Sequence, residues 1–133
     1  MRYRPYNLKG RVRALEFDFR PFVPVEWGRV FGSRGAATIQ TKVGTFGKGD
    51  LLVWRSADRA LHVGRASFFV ELFLADQYRY LALAVEYNSI SGLKYSPPAD
   101  EQKSLIDIET CLGNFSWVVH AGNIVEILLP VGI

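Results

Sequence analysis

Leu61-His-Val-Gly-Arg-Ala-Ser-Phe-Phe-Val-Glu-Leu-Phe-Leu74, then Ala75-Asp-Gln77, then Tyr78-Arg-Tyr-Leu-Ala-Leu-Ala-Val-Glu-Tyr87 is the stretch that decides the fold. Both flanking runs are rich in β-branched and aromatic residues and are separated by a short polar break, which reads as an antiparallel hairpin. A turn at residues 75–77 places Phe68 opposite Ala84 and Val70 opposite Ala82, large against small on one face, with Phe69 against Leu83 on the other. A hairpin apolar on both faces needs cover on both, so the expectation is a mainly β single domain over residues 1–133, built as a barrel or a two-sheet sandwich.

Outward from this hairpin the period of two persists. Residues 14–19 alternate Leu15, Phe17 and Phe19 with Glu16 and Asp18, and residues 37–43 alternate Ala37, Ile39 and Val43 with Thr38, Gln40 and Lys42. Pro21 and Pro24 forbid a central strand between them, and the glycine-rich stretch from Gly28 to Gly35 reads as a crossing loop. Towards the C-terminus Gly113-Asn114 and Gly122-Asn123 each sit between apolar runs at the spacing of a two-residue hairpin. Taken literally they give a three-stranded meander, residues 105–112, 115–121 and 124–129, with Ile106, Ile108, Leu112, Phe115, Trp117, Val119 and Leu128 on the core face. His120 then faces Asp107, and Glu126 falls awkwardly on the apolar face. Residues 88–104, with Gly92 and Pro97-Pro98, are the longest irregular stretch and the place for a binding loop or the one short helix.

With 49% hydrophobic and only 22% charged residues, the composition excludes a disordered chain. A single cysteine, Cys111, excludes an intrachain disulfide framework; with no charged-then-apolar leader, the reading is an intracellular protein, cytoplasmic or nuclear. No apolar run approaches the roughly 20 residues of a membrane-spanning helix, so no membrane is expected as partner.

Catalytic and metal motifs do not assemble. Cys111 lies four residues from the strand partner of His120, about 13 Å at the rise of a strand, too far for a Cys–His pair oriented by Asp107. Two histidines and one cysteine supply no zinc spacing, so neither metal nor cofactor is expected. Gly44 to Gly49 lacks the spacing, the hydroxyl after Lys48 and the following helix of a phosphate loop, and Asn114-Phe-Ser116 is read as a turn rather than a glycosylation site.

The net charge of +3 hides an asymmetry: residues 1–65 carry 13 Lys/Arg against 5 Asp/Glu, residues 66–133 carry 3 against 8. Such a split points to polyanion contact by the basic part, beginning with a basic arm at residues 1–10. Arg11 and Arg13 before the first strand, Arg29 and Arg34 in the glycine-rich loop, and Arg55 and Arg59 around one turn are the candidate anion-binding residues, with Trp54, Tyr87 and Tyr95 as candidate stacking or cage aromatics. The expected function is a non-catalytic binding module for nucleic acid, a nucleoprotein or an acidic protein surface. The alternative is an assembly domain forming a homo-oligomer through apolar edge strands such as residues 124–133, and behind it stands an enzyme whose loop residues meet only in three dimensions.

Lys48-Gly-Asp-Leu-Leu-Val53, His62-Val-Gly-Arg-Ala-Ser67 and Tyr80-Leu-Ala-Leu-Ala-Val-Glu-Tyr87 together resemble the opening of a bromo-adjacent homology domain. The resemblance covers about 40 residues by pattern. It implies a mixed β-barrel that binds chromatin or protein partners, with Trp54 and Tyr87 at edge positions. The chain departs from that family after the third strand, where Asn88-Ser-Ile-Ser-Gly92 stands in place of the family's Arg-Pro-Glu-Glu-Thr-like segment, so the family's ligand chemistry is not carried over.

Overall fold

The computed structural model describes residues 5–12, 23–113 and 115–128. Arg13 and the strand expected over residues 14–19 lie outside these. The chain is mainly β: twelve strands and three single 3-10 turns, with no α-helix, among the described residues. The strands form two antiparallel sheets that do not close into a barrel, so the sandwich is the alternative realised.

The first sheet is organised by β5 (Leu61–Phe73) and β6 (Tyr78–Glu86), the hairpin expected above. Its loop is one residue longer than expected, because Leu74 donates its N–H to the carbonyl of Gln77. Phe69 therefore faces Ala82 and Val70 faces Leu81, and a bulge between Ala66 and Phe68 brings Ala66 opposite Ala84. Large still meets small, one residue away from the expected register. One edge of β5 takes β4 (Leu51–Arg55) along its first half and β2 (Gly32–Thr41) along its second; β6 lines the other edge. Outside these lie β1 (Asn7–Val12) and β3 (Gly44–Gly47) on β2, β9 (Lys103–Asp107) on β6, and β10 (Cys111–Leu112) on β4. Residues 7–10 thus belong to a sheet strand rather than to a free arm, and residues 32–35, expected in a loop, already pair with β5.

The second sheet runs β11 (Ser116–Val119), β12 (Val125–Leu128), β8 (Lys94–Ser96), β7 (Asn88–Ser91). The stretch expected to be irregular is therefore half a hairpin, and only residues 97–102 remain irregular.

Both faces of the first sheet are covered. Along β4, Leu52 and Trp54 join Ile39, Phe69 and Ala82 in a core inside the curved sheet, while Leu51 and Val53 pack outward against Tyr95, Val125 and Ile127 of the second sheet. Further along the outer face, Val70, Leu72 and Leu81 are capped by Val23, Trp27 and Val30. Four consecutive buried residues in β4 follow directly from a strand with a core on each side.

The three-stranded meander does not form. β9 and β10 stay in the first sheet, joined by a 3-10 turn at Ile108–Thr110, and the chain then crosses to the second sheet. Gly113 is needed for a close approach and not for a hairpin: a Cβ there would collide with the carbonyl of Val43. The β11–β12 hairpin does form, but Ala121 joins Gly122 and Asn123 in the loop, and both of those adopt positive φ. This slips the expected register by one residue. Ile127 and Val125 become core, Leu128 and Trp117 are about half exposed, and Glu126 turns outward to accept from His120 Nε2 at 2.9 Å. Asp107 instead pairs with Arg79 Nη1 at 3.3 Å.

Candidate functional site

The structure divides the expected arginine surface. Arg34 stands opposite Glu71 on β5 and Arg55 opposite Leu61, ten residues earlier on the same strand, some 33 Å along it. Arg34 is paired with the buried carboxylate of Glu71 at 3.7 Å, and Arg29 lies over the ring of Phe31 at 5.2 Å. Arg55 donates to the carbonyl of Arg59 at 3.0 Å, closing the β4–β5 turn, where Arg59 has a positive φ of 67°. The backbone of Arg11 pairs with Ala36 in β1. Arg11 and Arg34 therefore share one end of the molecule while Arg55 and Arg59 hold the other.

The three candidate aromatics are core residues. Trp54 is 6% exposed and stacks on His62 with ring centroids 5.7 Å apart. Tyr95 is buried and donates to the carbonyl of Leu61 at 3.1 Å, and burial raises its phenol above the ordinary value. Tyr87 packs in the inter-sheet core while its hydroxyl accepts from Arg65 Nε at 3.2 Å. Of the three, Tyr87 alone borders the cleft described next.

That cleft opens at the seam between the sheets. It holds about 550 Å³ and is lined by the β5–β6–β9 surface, by Val119 and Val125 of the second sheet, and by Pro97 and Pro98. The size suits a small ligand or a segment of chain. Its floor carries a cross-strand row: Arg65 pairs with Val85, and Val85 with Lys103, on three adjacent strands. Residues in register across neighbouring strands share a face, so the two cations flank Val85 and lie about 10 Å apart at the strand level. Arg65 is fixed by Tyr87 and by donation from Nη1 to the carbonyl of Gly49 at 2.6 Å. Among the described residues neither Arg65 nor Lys103 has a carboxylate partner, and the lining adds one acid, Glu101. Sequence reasoning missed both cations. The available signal was Arg65 itself, a charge set between the small residues Gly64 and Ala66 in a mainly apolar run.

Two arrangements carry the residue types of catalytic machinery. Cys111 is buried in β10 and its thiol is pushed up to about 12, by burial first and then by Asp107, while His120 sits in the other sheet's hairpin. At the β4–β5 turn, His62 Nε2 meets Ser56 Oγ at 3.0 Å and Nδ1 meets Glu86 Oε2 at 3.3 Å, the outline of nucleophile, base and orienter. The Ser56 hydroxyl also meets Asp58, whose carboxylate accepts from the Ala60 N–H as well, so the same hydroxyl helps to tie the turn together. No group of three or more His, Cys, Asp and Glu side chains able to hold a metal ion occurs among the described residues, and no helix there is long and apolar enough to cross a membrane.

No family model, no curated protein and no solved structure matches the chain.

Proposed function

We propose that the protein is a non-catalytic binding module that holds an acidic protein partner in the seam cleft. The observation that carries this reading is the Arg65–Val85–Lys103 row: two cations without carboxylate partners among the described residues, either side of an apolar floor. A carboxylate entering such a site makes charge-assisted hydrogen bonds to an arginine already held in place, so little side-chain entropy remains to be lost. An acidic protein segment suits the site better than nucleic acid. Single-stranded nucleic acid needs aromatic platforms in series, and the expected ones, Trp54, Tyr87 and Tyr95, are buried, which leaves Trp117 on β11 as a single half-exposed ring near the cleft; duplex binding needs a continuous basic face, and the expected arginines sit at two ends of β5. The pattern shared with bromo-adjacent homology domains over β4 to β6 agrees with a protein-binding role, and the lone cysteine with a reducing, intracellular setting.

The test is the binding of poly-L-glutamate, with short DNA and RNA as competitors, over a salt series. Affinity for the acidic polymer should fall steeply with salt and drop about tenfold or more in the Arg65→Ala, Lys103→Ala double variant. Binding unaffected by that variant would sink the reading. Preferential capture of DNA or RNA would hand it to the arginine-rich ends.

A second reading, assembly through an apolar edge, is favoured by β11, in which Trp117, Val118 and Val119 are 44%, 41% and 57% exposed. It predicts an oligomer in light scattering that is indifferent to salt and that Trp117→Glu disperses.

A further inference from the structure

We infer that β11 is an acceptor edge to which an extended, acidic segment of the partner adds as an antiparallel fifth strand, so that one of its carboxylates enters the seam cleft. This inference rests on the reading of the cleft given above.

The hydrogen-bond phase of the β11–β12 hairpin fixes which backbone groups are free. His120 donates its N–H to the carbonyl of Ile124 at 2.7 Å, so in this ladder the hydrogen-bonded pairs are 120/124, 118/126 and 116/128. The backbone groups of Trp117 and Val119 therefore point the other way, off the sheet. Ile127, across from Trp117, agrees: its N–H leaves the hairpin for the carbonyl of Leu93 at 3.0 Å. β11 ends the second sheet, and so it presents two N–H and two C=O groups in strand geometry at Trp117 and Val119, with no strand on that side among the described residues. An open edge of this kind, apolar and free of charge over its four residues, is a template for strand addition.

The side chains on this edge repeat the message. Trp117 and Val119 share the inward face with the core residues Ile127 and Val125, yet stay about half exposed at the end of the sheet. Along this edge are two hollows two residues apart: about 190 Å³ beside Trp117, lined mainly by apolar side chains such as Phe46, Leu51 and Phe115 but also by Thr45 and Asp50, and the charged cleft beside Val119. Inward side chains of an added strand recur about every 6.7 Å. One residue opposite Trp117 fills the first hollow, whose lining is mainly apolar and whose one charge, Asp50, disfavours an acid there, and the inward residue two positions away, opposite Val119, reaches towards Arg65 and Lys103. The recognised pattern is thus acid-x-apolar read antiparallel to β11. A second copy of β11 does not supply it, since Ser116-Trp-Val-Val119 carries no carboxylate for those cations.

The probe is the capped peptide Thr-Val-Thr-Glu-Thr-Val-Thr, followed by fluorescence of a terminal label. Val119→Pro removes an outward N–H while leaving the ladder to β12 whole, a place where an edge strand tolerates proline; Val119→Ala is its control. Binding should weaken about tenfold or more in Val119→Pro, in Arg65→Glu with Lys103→Glu, and when the Glu and Val nitrogens of the peptide are methylated, which tests the edge without altering the protein. It should survive Val119→Ala and methylation of the Thr nitrogens. Peptide binding that needs the cations but ignores Val119→Pro and the methylation overturns strand addition and leaves the cleft reading standing, as does failure of the peptide where poly-L-glutamate still binds. Failure of both probes overturns both. A dimer that Val119→Pro disperses would assign the edge to a second copy and overturn the inference.

Discussion

Gly64 lies directly beneath the indole of Trp54: a Cβ at Gly64 would come within 3.0 Å of the ring and 2.8 Å of the carbonyl of Val85. The contact is possible because Gly64 has no side chain where β4, β5 and β6 run abreast, Leu52 and Glu86 being its partners on either hand. Gly64→Ala must push a ring that is 6% exposed, or a central strand, and overpacking of this kind costs about 1–3 kcal/mol. Urea unfolding followed by tryptophan fluorescence reads the loss. An unchanged midpoint would mean that the strands part freely here.

Cys111 gives a second prediction. Its thiol is buried and held near 12, against about 8.5 for a free cysteine. At pH 8 the thiolate fraction is then roughly a thousandfold below that of an exposed cysteine. A disulfide reagent should label the folded protein only at the rate of its opening and label the urea-unfolded chain at once. Because the folded value lies above the unfolded one, the stability that this group contributes is whole below about pH 8.5 and declines as pH rises through the folded value. Rapid labelling of the folded protein would show β10 to be open.

The β4–β5 turn responds at the acid end. Asp58 is held below the usual carboxylate range, first by the Ser56 hydroxyl and then by the Ala60 N–H. A depressed carboxylate stabilises the fold above its unfolded value of about 3.9 and loses that contribution as pH falls through the folded value. Asp58→Asn should lower the urea midpoint at pH 7, and the gap to the parent chain should close as pH drops below about 4. A gap that stays constant as the carboxylate protonates would mean that its charge contributes nothing to the turn.

What the sequence made legible follows from what a period of two encodes. Alternation names the two faces of a strand, and so the hairpin of residues 61–87, its double burial and the all-β class were readable from Phe68, Phe69, Ala82 and Leu83. It does not name the neighbour across an edge or the length of a loop. One extra loop residue at Leu74 and another at Ala121 each moved a register by one, which exchanged Leu128 for Ile127 in the core. Gly113 looked like a turn glycine because its real constraint, the carbonyl of Val43, lies far away in the chain. The site was hidden for the same reason. Arg65 and Lys103 are 38 positions apart and meet through β6, whereas the arginines that cluster in sequence are separated by the length of β5.

The hydroxyl of Tyr87 links the core to the cleft, which gives the most discriminating substitution at the proposed site. Tyr87→Phe keeps the ring in the inter-sheet core but removes the acceptor for Arg65 Nε, leaving the guanidinium tied only to the carbonyl of Gly49. One partly exposed hydrogen bond stabilises the fold by about 1 kcal/mol, so the unfolding midpoint should move little. The larger effect should fall on binding. Arg65 then has to be ordered when the acid arrives, at a cost of about 0.5–1.5 kcal/mol for a rotamer-rich side chain, so affinity for poly-L-glutamate should fall several-fold with its dependence on salt unchanged. Arg65→Ala, by contrast, should lower both the affinity and the salt dependence, since a charge itself is gone. If Tyr87→Phe weakens folding and leaves binding intact, Arg65 is placed by Gly49 alone and the phenol serves only the core.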